Sequence, residues 1–159
     1  RVADYERHRH GFPERTPLNP RVTGTVRRDG FIVEKVIFES QPRHFVTAAL
    51  FLPDPARHAP KHPGVLIPCG HSQNGKGNDG YQKEAALLAL NGIAALIVDP
   101  IDQGERAQIL GPDGKPPFWG TTAHTMAGVG SILLGRNVAR YEIWDCMRGI
   151  DYLQSRPEV

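Results

Sequence analysis

A chain of 159 residues with 19 Lys and Arg against 17 Asp and Glu has a formal charge of only +2 and no block of either sign, which argues against nucleic acid or an anionic membrane surface as a partner. The length suits one domain that buries roughly 70% of its unfolded surface. No apolar run approaches the roughly 20 residues a membrane-spanning helix needs, so the composition points to a soluble domain, and Cys69 and Cys146, far apart inside apolar segments, read as buried free thiols.

The chain opens at Arg1 without a methionine and shows no signal-peptide pattern, which leaves its compartment open. Residues 1–21 read as an amino-terminal arm, rich in proline and poor in periodicity. The arm contains Arg7-His8-Arg9-His10, but His8 and His10 lack a nearby third type of ligand, so a solvated arm is the reading and no metal is expected. From Val22 the pattern turns to strands. Val22 to Arg28 runs into the hairpin signal Asp29-Gly30, and Phe31 to Glu39 places Ile32, Val36 and Phe38 on one face. After the turn Gln41-Pro42-Arg43, His44 to Leu52 is apolar on both faces, completing an antiparallel meander. The proline-rich segment from Pro53 to Pro63 reads as a surface connection, since neither side would close a core alone.

Gly64 to Pro100 organises the rest. Gly64 to Cys69 is a short apolar strand, Gly70 to Gly80 a glycine-rich turn, Tyr81 to Asn91 a helix, and Ile93 to Asp99 a second apolar strand. Apolar strands without polar alternation, joined through a helix, predict a β-α-β crossover and parallel pairing. Asp79 is placed to cap the helix with Gln82 reaching back, and Asn91-Gly92 to end it. In such sheets the turns at the carboxyl ends of strands collect ligands, so Gly70 to Gly80 and the segment after Asp99 are the candidate site. Pro100 to about Arg136 is a long irregular stretch with a short helix near Ala127 to Leu134, expected to form a pocket wall or lid. Asn137 to Ser155 is a helix. Its core stripe is Ala139, Ile143, Cys146, Met147, Ile150 and Leu153, with Asp145 and Arg148 opposite and Trp144 and Tyr152 also off the stripe. An alternating pattern that stops on a helix leaves the sheet unfinished.

Two chemistries compete for the central turn. Gly70 to Lys76 matches the first seven positions of G-x-x-x-x-G-K-[ST] after a strand, but Gly77 lacks the hydroxyl that would meet Mg²⁺, and the helix starts too late to hold a phosphate. Nucleotide binding through Gly70 to Lys76 is therefore the alternative. An oxyanion hole suits the turn better, because glycine exposes backbone N–H groups where negative charge develops.

Pro68-Cys-Gly-His-Ser-Gln73, the segment from Asp99 to Gly104-Glu105-Arg106, His124, Leu134-Gly135 and the run from Trp144 to Arg156-Pro-Glu-Val159 together resemble the amino-terminal half of an α/β-hydrolase. The closest branch is the acetyl xylan esterase-like group, related to prolyl oligopeptidase-type hydrolases, and the resemblance covers residues 22–159. It implies an incomplete α/β-hydrolase fold in which antiparallel amino-terminal strands lead into a parallel sheet flanked by helices. It also implies a serine hydrolase that cleaves carboxylic esters, with acetyl esters of carbohydrates as the substrate class and no cofactor. No G-x-S-x-G segment is present, and Ser40, Ser72, Ser131 and Ser155 lack that setting, so nucleophile, acid and base are expected after Val159. The missing carboxyl-terminal half of the domain would then be the chain's main partner. The 159 residues alone are expected to be inactive. By the same resemblance the backbone N–H groups of His71 and Ser72 are the oxyanion-hole candidates, and Gly70, Glu105, Arg106 and His124 shape the loops around the pocket. Asp145 and Arg148 are expected as structural partners on the helix surface. A noncatalytic binding or scaffold protein is the remaining alternative.

Overall fold

The computed structural model describes residues 11–159; the arm reading of residues 1–10, with His8 and His10, falls outside them. Strands β1 (Arg21–Arg28), β2 (Phe31–Gln41), β3 (His44–Pro53), β4 (Gly64–Pro68) and β5 (Ala94–Val98) form one mixed sheet in the order β1-β2-β3-β5-β4. Helix α1 (Asp79–Leu90) joins β4 to β5, and α2 (Gly120–Leu133) and α3 (Val138–Gln154) follow.

The meander forms as its turns predict. Gly30 at φ 85° closes the β1–β2 hairpin, where Arg28 faces Phe31, and the β2–β3 register runs from Phe31 opposite Pro53 to Gln41 opposite His44. β4 and β5 pair in parallel, as the crossover requires. The meander is continuous with this unit, because β3 also pairs antiparallel with β5, Leu50 facing Leu96. Each sheet face has its own core. Ala49, Phe51, Ile67, Ala95 and Ile97 pack with Ala85 and Ala89 of α1. On the other face Val36, Phe38, Val46, Leu50, Leu96 and Val98 pack with Tyr152 and Leu153 of α3. The alternation of β3 and β5 thus supplies both layers, with helices on opposite faces. Residues 11–20, without regular structure, run across the α3 side: Phe12 stacks on Trp144 at 5.7 Å and Leu18 O accepts from Glu39 N at 2.7 Å.

Three local expectations are corrected. Asn78, not Asp79, caps α1, its side chain accepting from Gly80 N at 2.9 Å, and Gln82 turns instead to Lys76 O at 2.6 Å. The helix placed at Ala127 to Leu134 begins at Gly120, because Gly and Thr in its first turns hide it from a propensity reading. The face of α3 is also different. Asp145 and Arg148, expected on the surface, are each only 3% exposed, whereas Ile143 and Ile150 are 52% and 46% exposed. Buried partners explain the rotation. Asp145 meets Arg106, and Arg148 meets Asp151 and Thr16 O, so polar groups read as solvent-facing find partners inside.

Candidate functional site

The parallel pair β4 and β5 sets the site. The loops leaving their carboxyl ends, Gly70 to Asn78 and Asp99 to Arg106, lie against each other and against His124 of α2. Asp99, buried at the end of β5, is the hub. Its carboxylate accepts from Thr47 Oγ1 at 2.6 Å, Lys76 N at 2.7 Å and Glu105 N at 3.3 Å, and pairs with Lys76 Nζ. The loops approach so closely that a Cβ on Gly75 or Gly104 would overlap Asp99 Oδ1, and both glycines have positive φ, 49° and 57°.

Lys76 therefore does not point outward for a phosphate. Its Nζ is held by Asp99 and by Glu105, the latter at 2.5 Å, and Gly75–Gly77 forms a single 3₁₀ turn instead of a helix N-terminus. These contacts count against the nucleotide alternative. Asp99 instead anchors backbone and lysine.

The candidate donors separate. Gly70 N donates to Tyr81 Oη at 2.6 Å, and Ser72 N donates to Oε1 of the fully buried Gln103. Ser72, paired with His71 as an oxyanion donor from the sequence, is thus already engaged. The N–H of His71 has no hydrogen-bond acceptor among the described residues. Its neighbours on both sides are fixed. The His71 ring is held as well, Nε2 lying 3.1 Å from His124 Nδ1 with the rings edge to face. His124 Nε2 lies 2.6 Å from Ile101 O and 2.9 Å from Nε2 of Gln103, so the ring connects the loop after β5 to His71. His124 thus contacts both loops of the candidate site.

Glu105 is exposed beside Lys76, whereas Arg106 is 5% exposed and points inward. Arg106 Nη1 donates to Asp99 O at 2.9 Å, and Nη2 lies 2.8 Å from Asp145 Oδ2 and 3.0 Å from His44 Nε2. Burial opposes ionisation of Asp145, but the His44 hydrogen bond, the Arg106 guanidinium and the Ser40 hydroxyl outweigh it and hold the carboxyl below its usual range. Ser40, His44 and Asp145 thus meet, though not as a catalytic relay. Ser40 is fully buried and donates straight to Asp145 Oδ1 at 2.5 Å, so no histidine stands between them as in a catalytic relay. Among the described residues no serine hydroxyl is hydrogen-bonded to a histidine, and no cluster of three metal-ligating side chains occurs.

Cys69 and Cys146 are free and half-buried, and burial chiefly pushes their thiols up, to about 12 and about 11, leaving them protonated at neutral pH. They line a cavity of about 400 Å³ with Pro68, Met147, Ile143 and Ile150, between the end of β4 and the exposed side of α3. Sequence reading missed Gln103, Thr47, His44 and the anchoring role of Asp99. The one local signal was Asp99 itself, a carboxylate closing an all-apolar strand.

By sequence, no family model and no curated protein matches the chain. By structure it is similar to a Bacteroides fragilis protein named as an acetyl xylan esterase, with TM-score 0.76 and 19% identity over 99% of this chain and 42% of that one. Acetyl xylan esterase 1 from a Thermoanaerobacterium species gives TM-score 0.63 at 18% identity, covering 99% of this chain and 46% of that one. The acetyl xylan esterase of a Paenibacillus species gives 0.61 at 21%, with the same 99% and 46%. The chain thus has the α/β fold of a part of these esterase structures and spans less than half of their length.

Proposed function

We propose that this chain is part of a serine hydrolase of the α/β-hydrolase fold that cleaves carboxylic esters, acetyl esters of carbohydrates among them. The observation that carries this reading is the turn after β4. The His71 N–H lacks an acceptor, while Gly70 N, Ser72 N and the His71 ring are each fixed by a partner. A preorganised donor at the carboxyl end of a parallel strand is what a tetrahedral oxyanion requires, because no reorganisation is needed when the charge develops. In this mechanism a serine outside the 159 residues attacks the ester carbonyl, with a histidine and an acid also outside them, and the carbonyl oxygen gains its charge against His71 N–H. The alcohol leaves as the intermediate collapses, and water releases the acid.

The edge of the sheet supports the same reading. β4 is terminal in the strand order, and the apolar side of α3 beside it is uncovered, as for a sheet that continues past β4. The glycine-rich turn and buried polar loops give the scaffold alternative no comparable use.

The test separates backbone from side chain. In the longer protein His71→Pro removes the N–H and should lower kcat by about 10²–10³ with little change in KM. His71→Ala keeps the N–H and should retain most of the activity. Equal activity of the proline variant and the wild type, with the fold intact by circular dichroism, would exclude His71 N–H as the donor.

A further inference from the structure

A groove beside the His71 turn has a floor of β1 and β2 side chains that takes no part in the candidate site. Helix α1 covers β3, β5 and β4 on its face of the sheet and leaves the β1–β2 side open. The result is a groove of about 760 Å³, within the size range of ligand sites. Register fixes its floor as three successive rows. Lys35 lies between Gly24 and Ala49, Val33 between Val26 and Phe51, and Phe31 between Arg28 and Pro53. Alternate residues on a strand share a face, so Lys35 and Phe31 mark the ends of a trough about 13 Å long. Phe31 stacks on Phe51 at 5.8 Å, giving the middle an aromatic and aliphatic surface.

The charge of the groove is one-sided. Arg28 and Lys35 at its two ends and Lys83 on α1 are exposed and have no ion-pair partner among the described residues. The only carboxylate in the lining, Glu105, pairs with Lys76. The end nearest the candidate site differs in kind. There the loop that carries His71 continues as Gln73 and Asn74, whose side-chain amides make no hydrogen bond among the described residues, and the Trp119 indole is 38% exposed.

We propose that this groove binds an acidic carbohydrate chain, a run of uronate-bearing sugars that extends from the His71 turn across the open sheet face. An apolar floor with an exposed indole suits the C–H faces of sugar rings, and free amides suit their hydroxyls. Three unpaired cations spaced along the trough suit carboxylates that recur along a polymer. An acidic peptide would satisfy the cations but leave the amides and indole without a role. The ligand class rests on the esterase reading, whereas the anionic character rests on the groove alone.

The test uses tetragalacturonate, which has no ester to cleave, with xylotetraose and tetraglutamate as neutral and peptide controls, titrated calorimetrically into the full chain at low ionic strength. Tetragalacturonate should bind more tightly than either control and weaken as salt rises. The triple variant Arg28→Gln, Lys35→Gln, Lys83→Gln should lose roughly tenfold or more of that affinity, while Lys115→Gln, outside the groove, should not. Trp119→Ala, a second probe with the charges intact, should also weaken binding. Equal binding of tetraglutamate, equal binding of xylotetraose, or an unchanged triple variant that folds normally would each overturn the proposal. Because hydrolysis is not measured, loss of esterase activity in the longer protein would count against the esterase reading without altering this result.

Discussion

Arg106 and Asp145 show how single side chains hold the site. They form a buried pair 2.8 Å apart, and Arg106 also binds the carbonyl of Asp99, so one guanidinium ties the loop after β5 to α3. Removing one partner of a buried pair leaves the other charge uncompensated, so Arg106→Ala should lower unfolding free energy by about 3–5 kcal/mol, read from urea denaturation. A loss below 1 kcal/mol would mean that water replaces the guanidinium freely. Asp145 also makes stability depend on acid. Its carboxyl lies below the ordinary 3.8 in the folded chain despite burial, so its ionised form contributes stability above that ordinary value, and the contribution fades as pH falls through the lower folded-state value. The urea midpoint should therefore drop on acidification below about pH 4, and Asp145→Asn should flatten that drop while costing stability at neutral pH. An unchanged acid slope in Asp145→Asn would assign the dependence to other carboxylates. Neither role was legible locally. Asp145 and Arg148 sit where a helical wheel puts solvent, yet each meets a partner from a distant segment, Ser40 105 residues from Asp145 and Thr16 132 residues from Arg148.

At the scale of elements, strands were easier to read than helix faces. Alternation and an Asp-Gly turn are written in adjacent residues, and β1 to β3 formed within a residue or two of their expected limits. A helix face is chosen by what covers it. Ile143, Met147 and Ile150 were read as core because they are apolar at helical spacing, yet Trp144, Tyr152 and Leu153 face the sheet, and the isoleucines border the cavity beside β4. Two apolar faces on one helix call for two partners, and only the sheet is present on one side. The 159-residue chain should therefore bind an anionic apolar dye such as ANS, and Ile143→Ser with Ile150→Ser should reduce the fluorescence gain. A chain that binds no dye and stays monomeric would argue that this face needs no cover.

For the whole molecule, the decisive contact is the pairing of β3 with β5, which joins the meander to the β-α-β unit in one sheet. Fluorescence of Trp144, packed on the meander side, and far-ultraviolet circular dichroism should therefore report one coincident unfolding transition. Two separated transitions would mean that the meander is an independent unit joined by the proline-rich segment. The sequence by itself determined the order of strands and helices and the parallel crossover, and it pointed to the turn after β4 as the candidate site, because each depends on residues near one another in the chain. Only the tertiary structure decided which groups in that site are available. Lys76 is closed off by Asp99, 23 residues away, and Ser72 N by Gln103, 31 residues away, whereas His71 N is left without an acceptor. A hydrogen bond between distant loops leaves no periodic trace, since its partners are selected by the packing of the sheet that brings them together.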